Sequence, residues 1–131
     1  MIILSCLVSS CGVEATDSEM INHFMENQEI FEAMVHADSD CHIDKKPGPT
    51  CKELMEELNI SYIHPEPFIA GALVLDYKGF SSSNKGYLYS NNNEVTPLYN
   101  NLDRHPPDLG HYQKGHKAIN SEWYIFYEYL N

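Results

Sequence analysis

From Ile21 onward the apolar positions recur every three or four residues. Ile21, Phe24, Phe31, Met34 and Val35 fall on one face, the spacing of an amphipathic helix packed on a core. Thr16-Asp17-Ser18-Glu19 opens it as a capping box, its hydroxyl and carboxylate satisfying free backbone amides. Glu26, Glu29 and Glu32 lie on another face and read as solvated, and the helix is expected to fade near His36 and Ala37. Asp38 to Pro49 is dense in turn formers and reads as loop. A second box, Thr50-Cys51-Lys52-Glu53, predicts a shorter helix through Leu54 and Leu58, which Pro65 and Pro67 forbid from continuing.

Beyond Phe68 the period changes to two. Strands are expected over Ile69 to Tyr77, Lys85 to Ser90, Gln113 to Ile119 and Glu122 to Leu130, the last two a hairpin turning at Asn120-Ser121. Its register stays open, because two- and three-residue loops place Ile119 on opposite faces relative to Trp123. Ala70-Gly71-Ala72 would leave room for close packing. Pro97, Pro106 and Pro107 make Val95 to Tyr112 a long loop, with room for one short helical turn. The pattern predicts an α+β fold, two N-terminal helices packed on a mostly antiparallel sheet of about four strands.

The N-terminus changes the picture. Ile2 to Val8 form a short apolar run, and Ser9-Ser10 precede Cys11-Gly12. Small residues followed at once by cysteine are the pattern of a lipoprotein signal. The run sits near the short limit of about seven residues for such a region and lacks a cationic start. The true start is therefore expected upstream, and Cys6 offers a second, shorter-led version of the motif. The alternative is a buried strand, Ile2-Ile3-Leu4, of a cytosolic domain. Residues 1–10 are expected to be a signal peptide, 11–15 a tether lipidated at Cys11, and 16–131 one domain. That run is far short of the roughly 20 apolar residues a spanning helix needs. Processing would leave Cys41 and Cys51 as a lone pair, which in an oxidising compartment reads as a disulfide. A zinc site from Cys41, Cys51, His36 and His42 lacks the usual short cysteine spacing. A formal net charge of −11 repels phosphate backbones, and Lys45-Lys46 is the sole basic cluster, so nucleic acid is excluded as a partner.

These residues carry a resemblance. The Cys11 motif, Lys85-Gly86-Tyr87-Leu88-Tyr89, Leu102-Asp103, and Ile119 to Glu128 with Trp123-Tyr124 resemble a group of small, uncharacterised bacterial lipoproteins. The resemblance runs loosely along the chain and is densest in its last fifteen residues. That group usually carries Arg-His before the isoleucine of the final hairpin, where this chain has Lys117-Ala118. What the resemblance implies is a diacylglycerol on Cys11, an envelope location and an ordered C-terminal hairpin, and no activity. Gly12 rather than Asp after the cysteine points, on the same analogy, to the outer membrane facing the periplasm.

Candidates for chemistry are sparse. His36, Asp38, Asp40, His42 and Asp44 could hold a divalent metal, but a solvated acidic loop is the simpler reading. Ile43 and Pro49 stand where a calcium loop needs its glycine and its glutamate. Met20, Met25, Met34 and Met55 read as core filler rather than copper ligands. Ser81 to Gly86 precedes a strand, not the helix a phosphate cradle requires. No serine elbow, His-Glu-x-x-His or glycine-rich phosphate loop occurs, and neither cofactor nor metal is expected. Trp123, Tyr124, Phe126 and Tyr127 put apolar groups on both faces of the last strand. One face then either meets a protein partner in the envelope or is roofed by Val95 to Tyr112. The leading expectation is a non-enzymatic, membrane-tethered interaction or support module. Its competitor is a ligand-binding protein or small enzyme with a pocket between helices and sheet, near His64, His111 or His116.

Overall fold

The computed structural model describes residues 15–36, 39–41, 47–69, 71–77, 83–91 and 95–129. Within them the fold is α+β, with three helices and a five-stranded antiparallel sheet. The helices are α1 (Asp17–Glu26), α2 (Gln28–Val35) and α3 (Pro49–Leu58). The strands are β1 (Ile60–Pro65), β2 (Leu73–Tyr77), β3 (Ser83–Tyr89), β4 (Lys114–Ala118) and β5 (Trp123–Tyr129), in the order β1-β2-β3-β5-β4. The signal motif and Cys11 lie outside the described residues, as do Asp38, His42 and Asp44.

The capping box at Thr16 forms: Glu19 N–H donates to Thr16 Oγ1 at 3.1 Å and Thr16 N–H to Glu19 Oε1 at 2.9 Å. The single long helix expected after it is instead two. Asn27 leaves helical geometry, and its side-chain amide donates to the His23 carbonyl at 2.9 Å. An asparagine side chain competes in this way with the backbone ladder. The bend keeps Phe24 and Phe31 both inward, ring centroids 5.1 Å apart. At α3 the predicted Thr50 box is absent. Gly48 is the N-cap, Pro49 takes the first helical position, and no local side chain caps the turn. Asp40 does so from the preceding loop, its carboxylate accepting from Cys51 N–H at 2.8 Å and Thr50 N–H at 3.2 Å. Cys41 and Cys51 are disulfide-bonded. On the chain-entropy model, closing a loop of that length stabilises the fold by ~2.5–3 kcal/mol.

The sheet has two buried faces. Toward the helices it turns Ile60, Ile63, Leu75, Tyr87, Trp123, Ile125 and Tyr127, packed with Met20, Phe24, Phe31, Met34 and Leu58. Met20 and Met34 are core as expected and Met55 packs at its edge, whereas Met25, expected in the core as well, is 59% exposed. Glu32, expected in solvent, accepts the Trp123 indole N–H at 3.2 Å. The far face gathers Ala72, Val74, Leu88, Val95, Tyr124 and Phe126. Gly86 is obligatory there, since a Cβ would lie 2.6 Å from the Phe126 ring and 2.4 Å from the Leu75 carbonyl. Gly71 has another reason than the close packing expected of it. Nothing lies within 4 Å of its missing Cβ, and its φ of +78° belongs to a turn that favours glycine. The hairpin register is settled by Ala118 opposite Tyr124, and Ile119 packs with Trp123 in the helix-side core.

One polar cluster ties three parts of the chain together. Lys85, 4% exposed, donates to the Ala15 carbonyl at 2.8 Å and pairs with Asp17 Oδ1 at 2.9 Å. The other Asp17 oxygen accepts Leu102 N–H at 2.7 Å, and Asp103 accepts Asp17 N–H at 2.6 Å. Removing one member of a buried pair strands the other charge. Lys85→Met should therefore lower stability by about 3–5 kcal/mol, read as a fall in the urea midpoint. Lys52→Met, on the exposed side of α3, should change it by less than about 0.5 kcal/mol.

Candidate functional site

The far face of the sheet is not sealed along its whole length. A cavity of about 940 Å³ opens there between the turn after β1 and the segment from Thr96 to Gln113. That volume falls in the range of small-molecule sites. Its apolar walls are Pro65, Pro67, Phe68, Ile69, Pro97 and Leu109, and Tyr99 and Tyr112 add aromatic surface. Its ionisable groups, the tyrosines aside, are His64, Glu66, Asp108, Lys114, His116 and Glu128, and Thr96 and Gln113 add neutral polar ones.

Backbone geometry brings these groups together from distant parts of the chain. Alternation along antiparallel strands puts Lys114 opposite Glu128 and His116 opposite Phe126 on one face. Pro65-Glu66-Pro67 carries Glu66 over that face, where Lys114 Nζ donates to Glu66 Oε2 at 2.9 Å. The same ammonium stands 4.8 Å from the Phe126 ring centroid. Phe68 N–H donates to the second Glu66 oxygen at 3.1 Å. Burial would raise the Glu66 pKa, but the bonds from Lys114 and Phe68 outweigh it and hold the carboxyl below its ordinary value. Glu128 goes the other way. Burial raises it, the charges of Asp76 and Glu66 add to the rise, and Lys114 and His64 only oppose it. At the rim, Tyr99 donates its hydroxyl to Asp108 at 3.0 Å.

His116 is the anomaly. It is 3% exposed, and neither ring nitrogen has a hydrogen-bond partner among the described residues, where buried polar atoms are nearly always paired. Its backbone is fully engaged, bonding Pro97 and Tyr99 as a bridge along the outer edge of β4. Burial pushes the imidazole pKa down to about 4, helped by the Lys114 charge and opposed by the Pro97 carbonyl and Glu66. The ring is thus neutral at physiological pH, with one nitrogen a donor and the other an acceptor.

Of the three histidines singled out by sequence, two converge here. His64 lines the cavity and touches Asp76 at 3.5 Å, while His111 lies outside it, its ring 4.6 Å from that of Tyr129. The cavity sits on the face away from the helices, not between helices and sheet as expected. The helix-side face is filled instead by interlocking aromatic rings, Phe31 lying 4.7 Å from Tyr87 and 5.6 Å from Trp123. The contact surface expected on β5 is likewise corrected. Trp123, Tyr124, Phe126 and Tyr127 are all between 0% and 7% exposed, divided between the two cores. With Val95 and the following segment folded on it, the strand offers no aromatic band to a partner. Asp40, Cys41 and Cys51 are the single group of metal-ligand type within 4.8 Å among the described residues. Their sulfurs are bonded to each other, so they supply no thiolate. Glu66, Lys114 and Glu128 escaped the sequence reading altogether, and Pro65-Glu66-Pro67, a carboxylate fixed between two prolines, was the one local signal.

Comparison of the chain with protein-family models, with curated proteins and with solved structures finds no significant match.

The lowered His116 pKa fixes a pH dependence. Between pH 6.5 and about 4 the unfolded chain holds the imidazole proton and the folded chain does not. Stability is therefore full above pH 6.5 and is lost as pH falls toward 4. Glu128, raised, contributes with the opposite sign just above the ordinary carboxylate range. Comparing the wild type with His116→Phe isolates the histidine, and urea titrations should show the variant lacking an acid-side loss on the order of 3 kcal/mol.

Proposed function

We propose that this protein is a lipid-anchored envelope protein of the small bacterial lipoprotein type, whose folded domain binds a small organic molecule in the cavity behind its sheet. One observation carries the binding reading: a fully buried imidazole lining a roomy, largely apolar cavity with both nitrogens unpartnered. A buried polar group left without a bond costs about 1–3 kcal/mol, and a ligand hydroxyl or amide would recover it. Apolar walls with a few convergent polar groups are the usual make-up of such sites.

The address is supported by the motif at Cys11 and by the Cys41–Cys51 disulfide, a bond that persists in oxidising compartments. No helix of the described residues is long and apolar enough to cross a membrane. Anchoring would therefore fall to the acyl chains on Cys11, and two suffice where one does not.

Two measurements test the two halves. A neutral, polarity-sensitive dye such as Nile red should brighten on binding. Thr96→Trp, which places a large ring in the cavity wall, should weaken that binding by about tenfold or more, roughly 1.4 kcal/mol. A dye indifferent to this substitution in a normally folded protein would count against the cavity. For the anchor, intact mass after detergent extraction from native membranes should give a chain beginning at an acylated Cys11. Retention of Met1 with an unmodified Cys11 thiol would refute it.

A further inference from the structure

Resting on that ligand-binding reading, we infer that the occupant is an organic cation: an amine whose ammonium pairs with Glu128 and whose apolar body lies against Phe68 and Tyr112. The lining supplies three carboxylates, Glu66, Asp108 and Glu128, against the single ammonium of Lys114. His116 is neutral, and even a protonated His64 leaves the wall net negative. The chain as a whole carries −11, so the long-range field also draws cations and repels anions.

The carboxylates are not equivalent. Glu66 is committed to Lys114 and to the Phe68 amide. Asp108 receives the Tyr99 hydroxyl. Glu128 receives no hydrogen bond among the described residues, although it stands opposite Lys114 in the ladder and lines the cavity. The ammonium of Lys114 is held by Glu66 and the Phe126 ring, which leaves the half-buried Glu128 carboxylate open to a ligand. A ligand cation there gains a charge-assisted bond in a partly desolvated site, where such bonds are strongest. An anionic ligand would have to pull Lys114 off Glu66 and strand a buried carboxylate. A neutral ligand would satisfy His116 and leave Glu128 as it is.

The mouth has matching chemistry. Phe68 is 92% exposed and Tyr112 72% exposed, and both line the cavity. Large apolar side chains left in water beside a cavity mark a contact surface, and aromatic faces attract cations as well as apolar bodies.

Calorimetry with three isosteric probes tests the charge: 2-phenylethylamine, 2-phenylethanol and 3-phenylpropionate, added to the full folded domain at neutral pH. The amine should bind about tenfold or more tightly than the alcohol, and the acid weakest. Glu128→Gln should bring the amine down to the level of the alcohol, and added salt should weaken the amine alone. Equal or tighter binding of the alcohol or the acid overturns the cation assignment, as does an amine preference unaffected by both Glu128→Gln and salt. Failure of the amine while Nile red still binds overturns this assignment and leaves the cavity reading standing. Failure of the amine and the dye together overturns both.

Discussion

A lysine amine buried at the helix-side face of a sheet can be tolerated only if every proton it carries is answered. Lys85 donates to the Ala15 carbonyl, pairs with Asp17 at 2.9 Å, and has Asp103 3.6 Å away. Its partners come from the start of α1 and from the segment between β3 and β4. Asp17 passes the tie onward by accepting the Leu102 amide, and Leu102 itself is buried in the helix-side core. The cluster thereby fixes where a long, proline-rich segment leaves the helix side before it turns to the far face. The cavity depends on that placement, because Thr96 to Gln113 forms one of its two walls.

The aromatic strand explains why the chain needs such a segment at all. β5 presents Trp123, Ile125 and Tyr127 to the helices and Tyr124 and Phe126 to the other side. Three short helices cover one face of a five-stranded sheet. The second face has to be closed by loops, which carry backbone groups needing partners of their own. Part of that demand is met by the bridge of Pro97 and Tyr99 to His116 at the edge of β4. Loops close a face less evenly than helices do, and the gap they leave here is the cavity.

What could be read in advance divides along the same line. The Thr16 capping box, the helical faces of Phe24 and Phe31, the disulfide and the α+β class all follow from local spacing and residue count. β1 did not, because its register shifts between Ile60 and Tyr62, so that Ile60 and Ile63 both face the core three residues apart. An inward pair at that spacing imitates a helix and hides the strand's period of two. The break at Asn27 was hidden because a side chain bonding its own helix leaves the apolar face continuous. The α3 cap was hidden because Asp40 reaches it across a loop. The site was least legible of all. His64 and His116 drew notice as residue types, but Glu66 with Lys114, and Lys114 with Glu128, meet only through a proline-bounded turn and a strand register.

The two polar clusters of this molecule make a useful contrast. Around Asp17 and Lys85 an ion pair and three hydrogen bonds tie three segments together, although Asp17 Oδ1 meets Lys85 as an ion pair without a hydrogen bond of its own. In the cavity less is paired among the described residues: Lys114 is shared between Glu66 and an aromatic face, the half-buried Glu128 carboxylate accepts no hydrogen bond, and neither His116 nitrogen is bonded. Phe126 stands opposite position 116 in the ladder, and β4 pairs with β5 through its backbone. A buried imidazole without a bond is a stability cost, which the proposed occupant of the cavity would offset.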